Sequence, residues 1–435
     1  MTCPICFFRD SYQRSLKVKT FGIDRFESKL DHYKKLYVDE LKKLKSLNEC
    51  NCYNIYSNKS LCLWVDEFLS DVHLHIDLIE ATFNEINLSY IKFISENQRV
   101  AINSLYDFLE KSLLIDRTVD SSELVKAMFR ARRKGRFDPK DIKEFYHVPF
   151  SKRHLVGSQR FSIPGLPLLY LGSSALTVEK ELEANSNSDL EYSIFLPSYS
   201  HFYNSRIFSL NNSINSLLEN NLPGLMDASV NLPYSGDDNY SYKPRFKQEV
   251  QANILLQICS FPTEYKKSFI PEYIIPQMLT VALQEKGFDG LSFPSTKCFE
   301  NLKDNHRFSS HHLNFVLFTE YSSTNDCDSK LLDKFYTFTL DKKDSVSKKE
   351  VLDAIEKVRK LNRNSDINNT DFVMPLVRAK FQIEYLENSS IDGVKYFDTA
   401  TGQTELNLYL DMANEMYNKV NARLNGNREK RDATL

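Results

Sequence analysis

Three residues with chemical potential lie within one short stretch, Gln159–Glu181 (QRFSIPGLPLLYLGSSALTVEKE). Arg160 offers a planar fork of donors that suits phosphate. Tyr170 offers a ring face for stacking and a hydroxyl for orientation. Glu181 offers a carboxylate, the group that stabilises a sugar carbon gaining positive charge as a glycosidic bond breaks. Together they are the tools for cleaving the C–N glycosidic bond of a nucleotide. Residue types alone leave plainer readings open: a surface arginine, a packed tyrosine and a solvated helical glutamate. Glu179 and Glu183 compete with Glu181, and residues two apart on a helix face different ways, so one of the three can head a site.

The elements that would position these groups are legible. SIPG (Ser162–Gly165) reads as a turn, and LPLLYL (Leu166–Leu171) as a strand ending near Tyr170. Gly172 permits a sharp turn or a close approach to a ligand. Ser173 or Ser174 is placed to cap a helix that carries Glu181 about two turns in. Further strands are expected at NILLQIC (Asn253–Cys259), GLSF (Gly290–Phe293), LNFVLF (Leu313–Phe318) and FYTFTL (Phe335–Leu340). IPEYIIPQMLTVALQEKG (Ile270–Gly287) reads as a helix with Pro271 near its start and Gly287 as its stop. Before this region come helical patterns near Asp24–Leu47, Leu61–Glu80 and Ser89–Ile115; after it come SKKEVLDAIEKVRKL and TELNLYLDMANEMYNKVNARL. SNSDLEYS reads as a loop or solvated face, and NGNREKRDATL as a disordered tail. The expected fold class is α+β, in three parts: a helical region over 1–120, a mixed α/β domain over 121–325 and a strand-plus-helix extension over 326–435.

The totals bound the partners. With 56 basic against 58 acidic residues the formal net charge is −2, which argues against a general polyanion binder. ARRKGR (Ala131–Arg136) is a local basic cluster, either a solvated loop or a patch that draws in phosphates. No apolar run approaches the roughly 20 residues that span a bilayer. The N-terminus lacks a basic region followed by an apolar run, so a cytoplasmic protein with no membrane role is expected. Five of the eight cysteines fall in the first 62 residues: Cys3, Cys6, Cys50, Cys52 and Cys62. Cys3-Pro-Ile-Cys6 with Cys50-Asn-Cys52 is a candidate four-thiolate structural zinc set, in which Cys62 could replace one member; free thiols are the alternative.

The order of residues around Arg160 resembles the RES domain. Arg160-Phe161-Ser162, Gly165-Leu166-Pro167, Leu168-Leu169-Tyr170 and then Ser173, Ser174, Thr177 and Glu181 follow its pattern. FRAR (Phe129–Arg132) resembles the family's first strand, GFDGLSFPST (Gly287–Thr296) its later Asp-Gly segment, and LNFVLF its last strand. The resemblance spans about Phe129–Glu320, departs in having Ser162 and Phe293 where Asn and Tyr are usual, and places a long insertion at about 185–244. RES domains are similar to ADP-ribosyltransferases of the diphtheria-toxin type and consume NAD⁺. The resemblance therefore implies that Arg160 holds the pyrophosphate or the nicotinamide ribose, Tyr170 stacks on the substrate, and Glu181 bonds a ribose hydroxyl. Ser295 would orient NAD⁺, and Arg130 would serve as a second phosphate or framework group. No catalytic metal is implied.

Longer RES proteins often carry a helical N-terminal region, which implies a HEPN-like region here. The expected function is NAD⁺ cleavage by hydrolysis, phosphorolysis or ADP-ribose transfer, in a toxin–antitoxin or antiphage setting. Possible partners are an antitoxin or regulatory protein, a protein target of ADP-ribosylation, and a second copy of the chain. The alternatives are an RNA-binding or RNA-cleaving HEPN-like protein using Arg25 and His32, and an inactive interaction module. Arg307 and His312 have similar spacing but read as loop residues.

Overall fold

The computed structural model describes residues 2–51, 59–119, 126–135, 137–184, 189–211, 214, 245–264, 269–298, 312–340, 345–363, 370–387, 389–391 and 393–432. The fold is α+β. The chain forms two compact units that interleave along the sequence. The first comprises Met1–Asp120, His154–Leu166 and Arg206–Pro294; the second comprises Ser121–Arg153, Pro167–Ser205 and Ser295–Leu435. In chain order the main strands are β1 (Met128–Arg133), β2 (Leu169–Gly172), β3 (Leu190–Pro197), β4 (Ile207–Ser209), β5 (Gly290–Pro294), β6 (Leu313–Leu317) and β7 (Phe335–Thr339). Among the described residues no helix is long and apolar enough to cross a membrane.

The first unit is mainly helical. The three helical patterns of the sequence resolve into four helices, Phe26–Lys42, Lys59–Leu74, Ile76–Ser95 and Gln98–Lys111. The third runs through the gap expected at 81–88, and the pattern expected over Ser89–Ile115 breaks at Asn97, which caps the last helix by accepting from the Val100 amide at 3.0 Å. Edge-to-face aromatic pairs fill its core: Tyr33 lies against Tyr37, Phe83 and Phe261. NILLQIC is not a strand. It is the second half of helix Phe246–Cys259, in which every residue from Ala252 to Cys259 is buried. A helix buried all round loses the 3.6-residue alternation, and an apolar run then mimics a buried strand. Strands β4 and β5 pair in parallel. The buried Arg117 ties these parts together, donating to Glu249 on that helix and to the carbonyls of Ser209 (3.5 Å) and Asn211 (3.3 Å).

The second unit is built on five antiparallel strands in the order β6-β2-β1-β3-β7. SNSDLEYS is therefore not wholly loop, because its LEYS end opens β3, which pairs along the whole of β1. The alternation of polar and apolar residues there is weak because β3 is buried on both faces. One face packs Phe129, Tyr192, Ile194 and Phe338 against helices Lys348–Arg363, Thr370–Leu386 and Ala400–Asp432. Helix Thr370–Leu386 was masked in the sequence by its internal Pro375. The last helix continues to Asp432 through most of the tail expected to be disordered, since a nucleated helix adds one hydrogen bond per residue.

Removing one partner of the buried Arg117–Glu249 pair leaves a charge stranded in the core. Arg117→Ala is expected to destabilise the protein by about 3–5 kcal/mol. The double variant Arg117→Met/Glu249→Leu should recover much of that loss, as read from urea denaturation.

Candidate functional site

Strand β2 delivers the chain from Tyr170 to the helix that carries the glutamates. Tyr170 is half-buried and pairs with Val316 of β6. Gly172 closes the strand at an ordinary negative φ. It is required by packing, because a Cβ there would stand 2.7 Å from Val178 Cγ1 and 3.1 Å from Thr177 Cβ. Ser174 is the N-cap: its φ is −153° and its Oγ accepts from the Thr177 amide at 3.1 Å. Ser173 serves β6 instead, accepting at Oγ from the Leu313 amide at 2.9 Å.

Helix Ala175–Glu181 and the turn after it send three glutamates to three different duties. Glu179 accepts from Thr401 and, at 3.4 Å, from the Tyr192 hydroxyl, so it ties the helix to the core. Glu183, just beyond the helix at φ 47°, pairs with Lys297. Glu181 is exposed, and its Oε1 accepts two neutral hydrogen bonds at 2.7 Å, one from Ser295 Oγ and one from Asn314 Nδ2. Both donors are buried. Ser295 is fixed in turn by its own amide donating to His312 O at 2.7 Å and by the Lys297 amide donating to its Oγ at 3.2 Å. The result is an accessible carboxylate, fixed in direction through one oxygen and, among the described residues, hydrogen-bonded by neutral groups.

The other expected site residues take these places. Arg130 lies in β1, and its Nη1 donates to the Tyr170 carbonyl at 3.1 Å, a framework position. Burial, aided by the like charge of Arg132, lowers its guanidinium to about 10, so it stays cationic at neutral pH. Arg160 belongs to the first unit. The Pro164-Gly165 turn, with Gly165 at φ +80°, follows it, and its Nη1 donates to the Cys259 and Phe261 carbonyls at 2.9 Å each. Its guanidinium stands 5.0 Å over the Tyr273 ring, and Gln277 holds the loop by donating to Gln159 O at 2.8 Å. Much of Arg160 is thus spent on the end of helix Phe246–Cys259. Arg25 and His32 are both exposed, on the N-cap and two turns into helix Phe26–Lys42. Cys3, Cys6 and Cys50 lie together; Cys52 and Arg307 lie outside the described residues. The basic cluster is engaged locally, with Arg132 on Glu144 and Arg133 donating to Leu182 O at 2.6 Å.

Asn314 was missed from the sequence because it sits inside an apolar strand and reads as an interruption. Its pairing with Gly172 puts it beside the glutamate helix. Two further groups brace that helix. His312, buried and with its imidazole pushed down to about 4 by desolvation, sets Nδ1 3.1 Å from Thr177 Oγ1. Glu405 sets Oε2 2.9 Å from the Ala175 amide and 2.6 Å from the Tyr396 hydroxyl.

Burial raises the Glu405 carboxyl from 4.5 to about 7, against the opposing effect of its hydrogen bonds from Tyr396 and Ala175. Between those two values the folded protein holds a proton that the unfolded chain releases, so this group's contribution to stability is lost as pH rises through about 7. Thermal denaturation from pH 4.5 to 8 should show wild type losing stability relative to Glu405→Gln across that window. Parallel pH profiles for the two proteins would refute this assignment.

Comparison with known proteins places one relative beside this geometry. No protein-family model and no solved structure matches the chain. The chain is similar to the protein of Bacillus subtilis (strain 168) described as "Putative toxin YopC", at 27% identity over 268 residues. That stretch is 61% of this chain and 54% of the relative, so the match spans about half of the relative's length.

Proposed function

We propose that the chain is an enzyme that cleaves the nicotinamide–ribose bond of NAD⁺ and acts as a toxin. The observation that carries this reading is the Glu181 carboxylate, exposed yet aimed by two buried neutral donors, Ser295 and Asn314. In the proposed reaction the C–N bond breaks with its electron pair passing to the pyridinium nitrogen, which leaves as neutral nicotinamide. The ribose C1′ becomes oxocarbenium-like. Glu181 accepts the ribose hydroxyl and opposes the positive charge through its outward oxygen, while Ser295 and Asn314 hold the other. Water, phosphate or a protein side chain then adds to C1′. Arg130, by holding the Tyr170 carbonyl, positions the strand end from which the tyrosine ring would meet the substrate. The resemblance to RES domains assigns Arg160 to the pyrophosphate. Similarity to a protein described as a "Putative toxin" supports the biological role, and an enzyme that depletes NAD⁺ calls for an antitoxin or other restraining partner.

The test is nicotinamide release from NAD⁺ by the purified chain. Wild type should release nicotinamide, and Glu181→Ala should reduce the rate about 10²–10³-fold, as for loss of one preorganised electrostatic group. Asn314→Ala should lower kcat by a smaller factor with the fold intact, and Arg160→Ala should raise KM. Intact NAD⁺ after incubation with wild type, with phosphate and cell extract also supplied, would overturn the proposal, as would full activity in Glu181→Ala.

A further inference from the structure

We propose that Cys3, Cys6 and Cys50 bind a zinc ion that fastens the N-terminal segment to the turn at Leu47–Glu49. The three sulfurs all lie within 4.8 Å of one another, and Cys6 Sγ stands 3.8 Å from Cys50 Sγ. Two thiolates bound at about 2.3 Å to one tetrahedral ion are separated by about 3.8 Å, so this spacing already fits the metal.

The local backbone explains the convergence. Pro4 opens helix Pro4–Phe7 and Cys3 occupies its N-cap position, so Cys3 and Cys6 lie three residues apart, on one side of a single turn. Cys50 follows the 3₁₀ turn Leu47–Glu49, and the Lys45 amide donates to Thr2 O at 3.0 Å, drawing the two segments together. Cys3 and Cys50 are buried and Cys6 is half-buried, beside the buried Ile5, Phe7 and Leu47. Three soft sulfur ligands in an apolar shell select zinc over hard cations, which need oxygen donors. On binding, each ligating thiol gives up its proton to solvent, and the ion bridges 44 residues of chain between Cys6 and Cys50. The proposed set is these three thiolates with a water in the fourth position of the tetrahedron; Cys52, the fourth cysteine expected from the sequence, lies outside the described residues. The rival arrangement is three protonated thiols in simple contact.

The experiment uses the full chain, purified without chelator and analysed for metal by mass spectrometry. About one zinc per chain is expected. Cys6→Ser and Cys50→Ser should each lose it, while Cys327→Ser retains it. Should the variants fail to fold, wild type decides the matter: after removal of metal, added Co²⁺ should produce thiolate-to-cobalt absorption in the near ultraviolet and tetrahedral bands in the visible, and Zn²⁺ should abolish both. Metal-free wild type with no cobalt bands would overturn the site. So would a zinc content unchanged in folded Cys6→Ser and Cys50→Ser proteins.

Discussion

Helix Ala175–Glu181 is two turns long, too short to hold its own shape in water, so everything at the candidate site depends on what fixes it from outside. At its start Ser174 accepts from the Thr177 amide and the buried Glu405 takes the Ala175 amide. In its middle Leu176 and Val178 are buried and Thr177 meets His312. At its end Arg133 donates to the carbonyls of Leu182 and Glu183. Every orphan group that is satisfied this way removes a route by which the helix could fray. Glu181 therefore inherits the rigidity of the core beneath it, which is what a preorganised carboxylate requires.

The partners of the three glutamates also explain why one is suited to chemistry. A carboxylate paired with a lysine, as Glu183 is, has already spent its charge. One tied to a core threonine and tyrosine, as Glu179 is, cannot turn outward without leaving those donors unpaired. Among the described residues, Glu181 is held by a hydroxyl and an amide, which fix its direction without an ion pair. Neutral donors thus separate the two properties a carboxylate needs opposite a developing cation, position and charge.

Features that depend on neighbours in sequence were legible: the Pro164-Gly165 turn, the Ser174 cap, strands β2 and β6, and a glutamate two turns into the helix. Features that depend on distant pairing were not. Asn314 gains its meaning from its register with Gly172, and Ser295 touches Glu181 across 114 residues of sequence. Helix Phe246–Cys259 was misread because complete burial erased the period that distinguishes a helix from a strand. Glu405 gave no signal at all. A glutamate in an amphipathic helix reads as solvated until the structure shows it buried against Tyr396 and Ala175.

The residues over 326–435, expected as an extension, belong physically to the body that holds Glu181. Their helices cover one face of the five strands, with Tyr409 edge-on to Phe129 of β1 at 5.6 Å. Three of their side chains reach the glutamate helix or the corner before it: Glu405 at its first amide, Thr401 at Glu179, and Gln382 at the Ser173 carbonyl. Without them β1 and β3 would expose an apolar face and the helix would lose its start and its side tether. A two-turn helix stripped of those supports would not keep Oε1 of Glu181 against Ser295 and Asn314. The carboxylate's aim is therefore a property of the whole second unit, written as much in its last hundred residues as in the stretch that carries the glutamate.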